Sequence, residues 1–262
     1  MSPVFSSRKT SRRVDASPGC APLRRMYSEA LTAGPSRWDE VSSEFLRAMW
    51  EFDENVRLGH ANQGDIQNGK GDFFTDLIAL VLENCSSHAL YARGKVPGLI
   101  FPFHALDATY PPKGDVEVMI ETKAAGAPKT GRNPSQKRAE GRPGSADLDK
   151  RVKEAGLKTI DLKAEWARRA GHGEGPAGDL LTWLRKSKPL SFMFMAVRVV
   201  DDADLRRTVD QTNAANQMMD GVGLVAYSPE PGKKKYVLRK VPRHLELDAV
   251  LTRVCTALKN LT

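Results

Sequence analysis

Residues 106–126 read LDATYPPKGDVEVMIETKAAG, and their alternation decides the fold. Successive side chains of a strand point to opposite faces. Val116, Val118, Ile120, Thr122 and Ala124 therefore share one face, and Glu117, Met119, Glu121 and Lys123 the other. Upstream, Leu106, Ala108 and Tyr110 alternate with Ala105, Asp107 and Thr109. The turn signal PPKGD between the two runs predicts a hairpin centred on Gly114. That register sets Tyr110 opposite Val118, Ala108 opposite Ile120 and Leu106 opposite Thr122, so the mainly apolar faces match. It also sets Asp107 across from Glu121 and Ala105 across from Lys123, with directly opposed Cβ atoms about 5 Å apart.

Two carboxylates side by side repel each other unless a cation lies between them. A divalent metal satisfies both, and one or two carboxylates completed by water and phosphate suit Mg²⁺. Lys123, on the same face, is placed to hold the attacking water and to offset developing negative charge. The plain alternative, a cross-strand surface ion pair, has no need of an acid at Asp107. Asp115 falls in the turn, Glu117 is an outer ligand or a solvated group, and His104 has the opposite strand parity and reads as structural. A second triplet, Asp161-Leu162-Lys163, lies in a helical pattern with Leu157, Ile160 and Ala164 inward. It reads as a surface charge pair.

On the N-terminal side, Trp38, Val41, Phe45, Met49, Phe52 and Val56 recur every three or four residues and predict a helix beginning after Ser36. GHANQGDIQNGKG reads as a polar link. A second helix is predicted over 72–90, burying Phe74, Leu77, Ile78, Val81 and Cys85, with Asp72, Asp76 and Glu83 on an outward acidic face. GKVPGLIFPF reads as a turn and a short buried strand. After the hairpin, residues 126–144 are basic and rich in Pro and Gly, which predicts a long exposed loop. Helices follow over about 145–170 and 178–186. SFMFMAVRVV (191–200) is a continuous apolar run suited to a central strand. A helix over about 202–219, the strand GVGLVAYS, the turn PGKKK, the outer strand YVLRKV and a closing helix complete the chain. Strands bracketed by helices predict an α/β fold, a mixed central sheet with helices on both faces.

The chain has 262 residues, 40% of them hydrophobic, enough for a substantial core. No apolar run reaches the length of a membrane span, and no apolar signal core opens the chain, so an intracellular protein is expected. Cys20, Cys85 and Cys255 are too scattered for a disulfide framework or a zinc site. His60 and His172 sit in loops without metal-ligand spacing, and no P-loop, dinucleotide fingerprint or Ser-His-Asp order is present. Residues 1–35, rich in Ser, Pro and Arg, read as a flexible basic arm, and 36–262 as one domain. The formal charge of +8 favours a polyanionic partner. Lys129, Arg132, Lys137, Arg138 and Arg142 are candidate phosphate contacts, and Asn133, Gln136, Lys137 and Arg138 have the chemistry to read purines.

Asp107 followed by Glu121-Thr122-Lys123 on the next strand resembles the PD-(D/E)xK nuclease superfamily, with Leu106 where the motif's name has Pro. The segments GKGDFFTDLIALVLEN and PGLIFPFHALDATYPP look like those of type II restriction endonucleases; the resemblance covers about residues 69–126. It implies a restriction-endonuclease-like core in a single nuclease domain over 36–262. It implies Mg²⁺ held by Asp107, Glu121 and the Thr122 backbone carbonyl, with Lys123 assisting the nucleophile and Glu83 as a further acid from the preceding helix, ahead of Asp72 and Asp76. The implied activity is sequence-specific cleavage of double-stranded DNA by a homodimer of the bacterial cytoplasm and nucleoid. A repair or recombination nuclease with the same core, or a DNA-binding protein that does not hydrolyse, are the alternatives.

Overall fold

The computed structural model describes residues 35–60, 63–92, 94–111, 116–128, 141–171 and 180–261. Helices α1 (Trp38–Arg57) and α2 (Gln63–Ser86) precede four short strands, β1 (Tyr91–Ala92), β2 (Lys95–Val96), β3 (His104–Ala105) and β4 (Ala108–Tyr110). Then come β5 (Val118–Ala125), a 3-10 turn (Gly144–Asp147), α3 (Leu148–Arg169) and α4 (Leu180–Lys186). The chain closes with β6 (Leu190–Arg198), α5 (Asp202–Met218), β7 (Gly221–Pro229), β8 (Tyr236–Arg239) and α6 (Leu247–Lys259). One six-stranded mixed sheet runs β1-β4-β5-β6-β7-β8, with β5, β6 and β7 parallel and the outer pairs antiparallel. The architecture is α/β with helices on both faces, as the alternation predicts. Among the described residues no helix is long and apolar enough to cross a membrane.

The strand periodicity assigns each face its helices. Val118, Ile120, Phe192, Phe194 and Tyr227 pack with α1, α2 and α6. Ala125, Met193, Met195, Val197 and Leu224 pack with α3 and α5. Covered on both sides, β6 is buried from Ser191 onward, which is why its sequence is a continuous apolar run. The predicted face of α1 is buried at Trp38, Val41, Phe45, Met49, Phe52 and Val56 alike.

Helix α2 departs from the sequence reading at both ends. It begins at Gln63, inside the segment read as a polar link, and stops at Ser86. Its glycines cost about 1 kcal/mol each relative to Ala, but tertiary bonds hold its first turns. Ile66 is buried, Gln67 Nε2 donates to Ala124 O (2.7 Å), and Lys70 Nζ donates to Asp53 Oδ1 (3.0 Å). Residues 73–82 are buried all round because β5, α1 and α6 enclose the helix. Asp76 is accordingly inside, so the expected outward acidic face does not exist at that position. Cys85 of α2 is joined to Cys255 of α6, a pairing that chain spacing gave no hint of. Residues 97–103, within the segment read as a turn and a short buried strand, form instead an exposed loop.

The expected arm over 1–35 lies outside the described residues, except for Pro35, whose carbonyl accepts from Asn84 Nδ2 (2.9 Å). Lys129, Arg132, Asn133, Gln136, Lys137 and Arg138, along with Asp115 and His172, also lie outside them. The two ends of that basic stretch are described. Ala127 and Arg142 exchange backbone hydrogen bonds, and the Asp204 carboxylate accepts from Gly144 N and Ser145 N (both 3.1 Å). Gly126 has φ +86°, and a Cβ there would lie 2.5 Å from Arg198 O, so the chain leaves β5 by a turn that only glycine fits.

Candidate active site

The hairpin register is the predicted one where the strands pair: Tyr110 faces Val118, Thr109 faces Met119 and Ala108 faces Ile120. The ladder ends there. The chain bends at Leu106-Asp107, so the pairings expected for Asp107, Leu106 and Ala105 do not form. Leu106 turns to the other face and packs with Val116, Met119 and Leu162. This contact gives the position a reason to be leucine. Past Ala108 no strand among the described residues pairs with this edge of β5, and the Asp107 carboxylate takes that place. Its Oδ2 accepts from Thr122 N (2.8 Å) and Thr122 Oγ1 (3.1 Å). Thr122 Oγ1 is backed by Thr75 Oγ1 of α2 at 2.5 Å.

Lys123 lies between the two acids. Its Nζ is 2.8 Å from Glu121 Oε2 and 3.6 Å from Asp107 Oδ2. Burial pulls the Lys123 ammonium down, but the Glu121 and Asp107 carboxylates outweigh it and hold the group above 10.5. The strand carries Glu121 and Lys123 on the face toward α3, and there the structure adds a residue that sequence reading missed. Lys158 Nζ donates to Glu121 Oε1 (2.9 Å) and to Ala105 O (3.1 Å). It ties the strand bearing Glu121 to the segment leading into Asp107. Nothing in the local sequence marks Lys158, one of several polar residues on an amphipathic helix, so only the packing of α3 against the hairpin reveals it.

Glu83 is not brought to this site. It stands eight residues beyond Thr75, about 12 Å further along the helix axis, and its Oε1 accepts from Leu90 N (2.8 Å). Among the described residues no three His, Cys, Asp or Glu side chains form a metal-holding group. The donors at hand are two carboxylates and the Thr122 carbonyl, on the same strand edge as the Thr122 N–H. This set fits a hard divalent cation that keeps several waters. The Lys123 ammonium, shared by both acids, already marks the position where positive charge is stabilised between them. Glu117 pairs with Lys188 (3.1 Å) rather than joining the acids. Arg142 directs its guanidinium to Asp147.

The second triplet is not on the surface. Asp161 and Lys163 are both fully buried, whereas Leu157 is exposed. Lys163 Nζ bonds Asp220 Oδ2 (2.9 Å). Asp161 accepts from Ile100 N (2.6 Å) and Phe101 N (3.2 Å), and its Oδ2 lies 2.7 Å from His104 Nε2. His104 is thus structural, as its strand parity predicts. No protein-family model, no curated protein and no solved structure matches this chain.

Proposed function

We propose that the chain is a Mg²⁺-dependent endonuclease acting on double-stranded DNA, of the restriction type, on a PD-(D/E)xK-like core. The observation that carries this reading is the convergence of Asp107, Glu121 and Lys123 at one open strand edge, where Lys123 bridges both carboxylates. Asp107, Glu121 and the Thr122 carbonyl would hold the ion. When bound, Mg²⁺ supplies a Lewis acid for the phosphate and lowers the pKa of a coordinated water. The chain's own residues do the rest. Lys158 keeps one oxygen of Glu121 engaged, and the other bonds Lys123, whose ammonium lies between it and Asp107. The Thr122 N–H and hydroxyl fix the Asp107 carboxylate. Lys123, charged at neutral pH, is placed to orient the attacking water and to stabilise charge developing on the phosphate.

The formal charge of +8 supports a polyanionic substrate. Cutting both strands of a palindromic site calls for two active sites related by twofold symmetry, hence a homodimer, acting in the bacterial cytoplasm at the nucleoid. The test is incubation of the purified protein with plasmid DNA and Mg²⁺. Discrete fragments are expected. A smear would indicate a repair-type nuclease, and intact plasmid with a gel shift a binding protein. Asp107→Ala and Glu121→Ala should each abolish cleavage and leave duplex binding intact, because each removes a metal ligand and no DNA contact. A variant that cuts at the wild-type rate would remove that residue from the site.

A further inference from the structure

The loop over 97–103 displays Leu99, Ile100, Phe101 and Phe103 at 44% to 69% exposure. Isolated exposed apolar residues are ordinary, but a contiguous cluster marks a contact surface. This one is held in a fixed shape. Asp161, fully buried in α3, directs both carboxylate oxygens to the loop, through Ile100 N (2.6 Å), Phe101 N (3.2 Å) and His104 Nε2 (2.7 Å). Its backbone carbonyl also accepts from Leu99 N (3.4 Å). Gly98 packs so closely on Asp161 that a Cβ would collide with it. Burying a carboxylate is costly unless it is well bonded. Here that buried group serves to present an apolar tip to solvent.

The tip adjoins the candidate active site. The chain passes from Phe103 through β3 to Ala105, whose carbonyl is bonded by the Lys158 that also holds Glu121. Cations stand on the side toward the acids: Lys95 Nζ sits 4.4 Å over the Phe103 ring, and Lys158, paired with Glu121, bonds the Ala105 carbonyl two residues further on. The four side chains expose on the order of 400 Å², about half of what each partner of a stable dimer buries. An apolar tip too small for a dimer interface, beside cations and an acid pair suited to a phosphodiester, matches the stacked bases next to a backbone phosphate.

We propose that this loop is a wedge that inserts between base steps of bound DNA and partly unstacks them, with Ile100 and Phe101 as the inserting side chains. Apolar residues of these types unstack and unwind duplexes in this way. The choice of polymer rests on the nuclease reading above; the shape and exposure of the tip do not.

The experiment uses relaxed plasmid DNA in EDTA, so that no hydrolysis occurs, with a metal-independent topoisomerase and full-length protein at low salt. Insertion unwinds the duplex, and the topoisomerase fixes that unwinding as a shift in linking number. Wild type is expected to shift the topoisomer distribution. I100S/F101S, altered only at exposed positions, is expected to bind with about tenfold lower affinity and to lose the shift. An unchanged shift in the double variant, or wild-type binding without any shift, would overturn the wedge. So would a wild-type dimer that becomes monomeric in the variant by sedimentation, or flotation of wild type with anionic vesicles that the variant loses. Unwinding without cleavage in Mg²⁺ would leave the wedge standing and remove the nuclease reading. Cleavage without unwinding would do the reverse.

Discussion

Two lysines in Asp/Glu-x-Lys triplets have opposite environments, and the variants should separate them. Lys123 reaches an open edge between two acids, whereas Lys163 is sealed beneath α3 against Asp220. Lys123→Ala is expected to slow single-turnover cleavage by about a hundredfold or more while the protein stays folded. Lys163→Ala is expected to leave the chemistry alone but to destabilise the fold by about 3–5 kcal/mol, because it strands the largely buried Asp220 carboxylate. Burial lowers Lys163 and raises Asp220, so each group depends on the other to remain charged. Urea unfolding of both variants, read beside their cleavage rates, checks the pair of outcomes. A silent Lys163→Ala would contradict the buried pairing.

Helices α2 and α3 carry predictions of their own. Gly71 lies within α2, and a Cβ there would meet nothing within 4 Å. Gly71→Ala should therefore raise stability by about 0.5–1 kcal/mol, seen as a higher urea midpoint with unchanged slope. In the last turns of α3, Glu165 accepts from Arg168 Nε (2.8 Å), Arg168 Nη2 (2.7 Å) and Arg169 Nε (2.9 Å). These bonds hold its carboxyl at about 2, below the ordinary 4.5. A depressed carboxyl contributes stability that is complete above its unfolded value and disappears as pH falls toward the folded one. The contribution of Glu165 is thus whole above pH 4.5 and lost on acidification toward about 2. Glu165→Gln should flatten the acid limb of stability in that window and match wild type at its foot. Equal slopes for the two proteins between pH 4.5 and 2 would contradict the assignment.

Across the molecule, a buried polar network joins elements far apart in the chain. Lys70 of α2 bonds Asp53 of α1 (3.0 Å), Tyr236 Oη of β8 donates to Asp53 Oδ2 (2.6 Å), and Arg198 Nε of β6 donates to Tyr236 Oη (3.0 Å). Lys70 Nζ also reaches Gly126 O, and Arg198 Nη1 reaches Ala127 O (both 3.3 Å). The network therefore fixes the place where the chain leaves β5. Burial pulls Lys70 down, and the Asp53 carboxylate partly restores it. Asp53→Asn removes that compensation and should destabilise the fold by about 3–5 kcal/mol. Calorimetric unfolding gives the check, and a loss below about 1 kcal/mol would mean that the network is not load-sharing.

Strand alternation and turn chemistry were enough to place β5 against β4 in register, because both act between near neighbours in sequence. The same local rules located α1, β6, α5, β7 and α6, and singled out Asp107, Glu121 and Lys123. They failed where distant partners decide. The Gly-containing start of α2 is helical because Asp53 and Ala124 bond it, and residues 97–103 are an exposed loop because Asp161 holds them there. Periodicity ranks a lysine or aspartate as outward, and cannot foresee that Lys163 meets Asp220 or that Lys158 meets Glu121. Those pairings arise from how α3 packs across the hairpin and the sheet. The free energy of a buried charge lies in its partner, and the partner is set by the assembled fold.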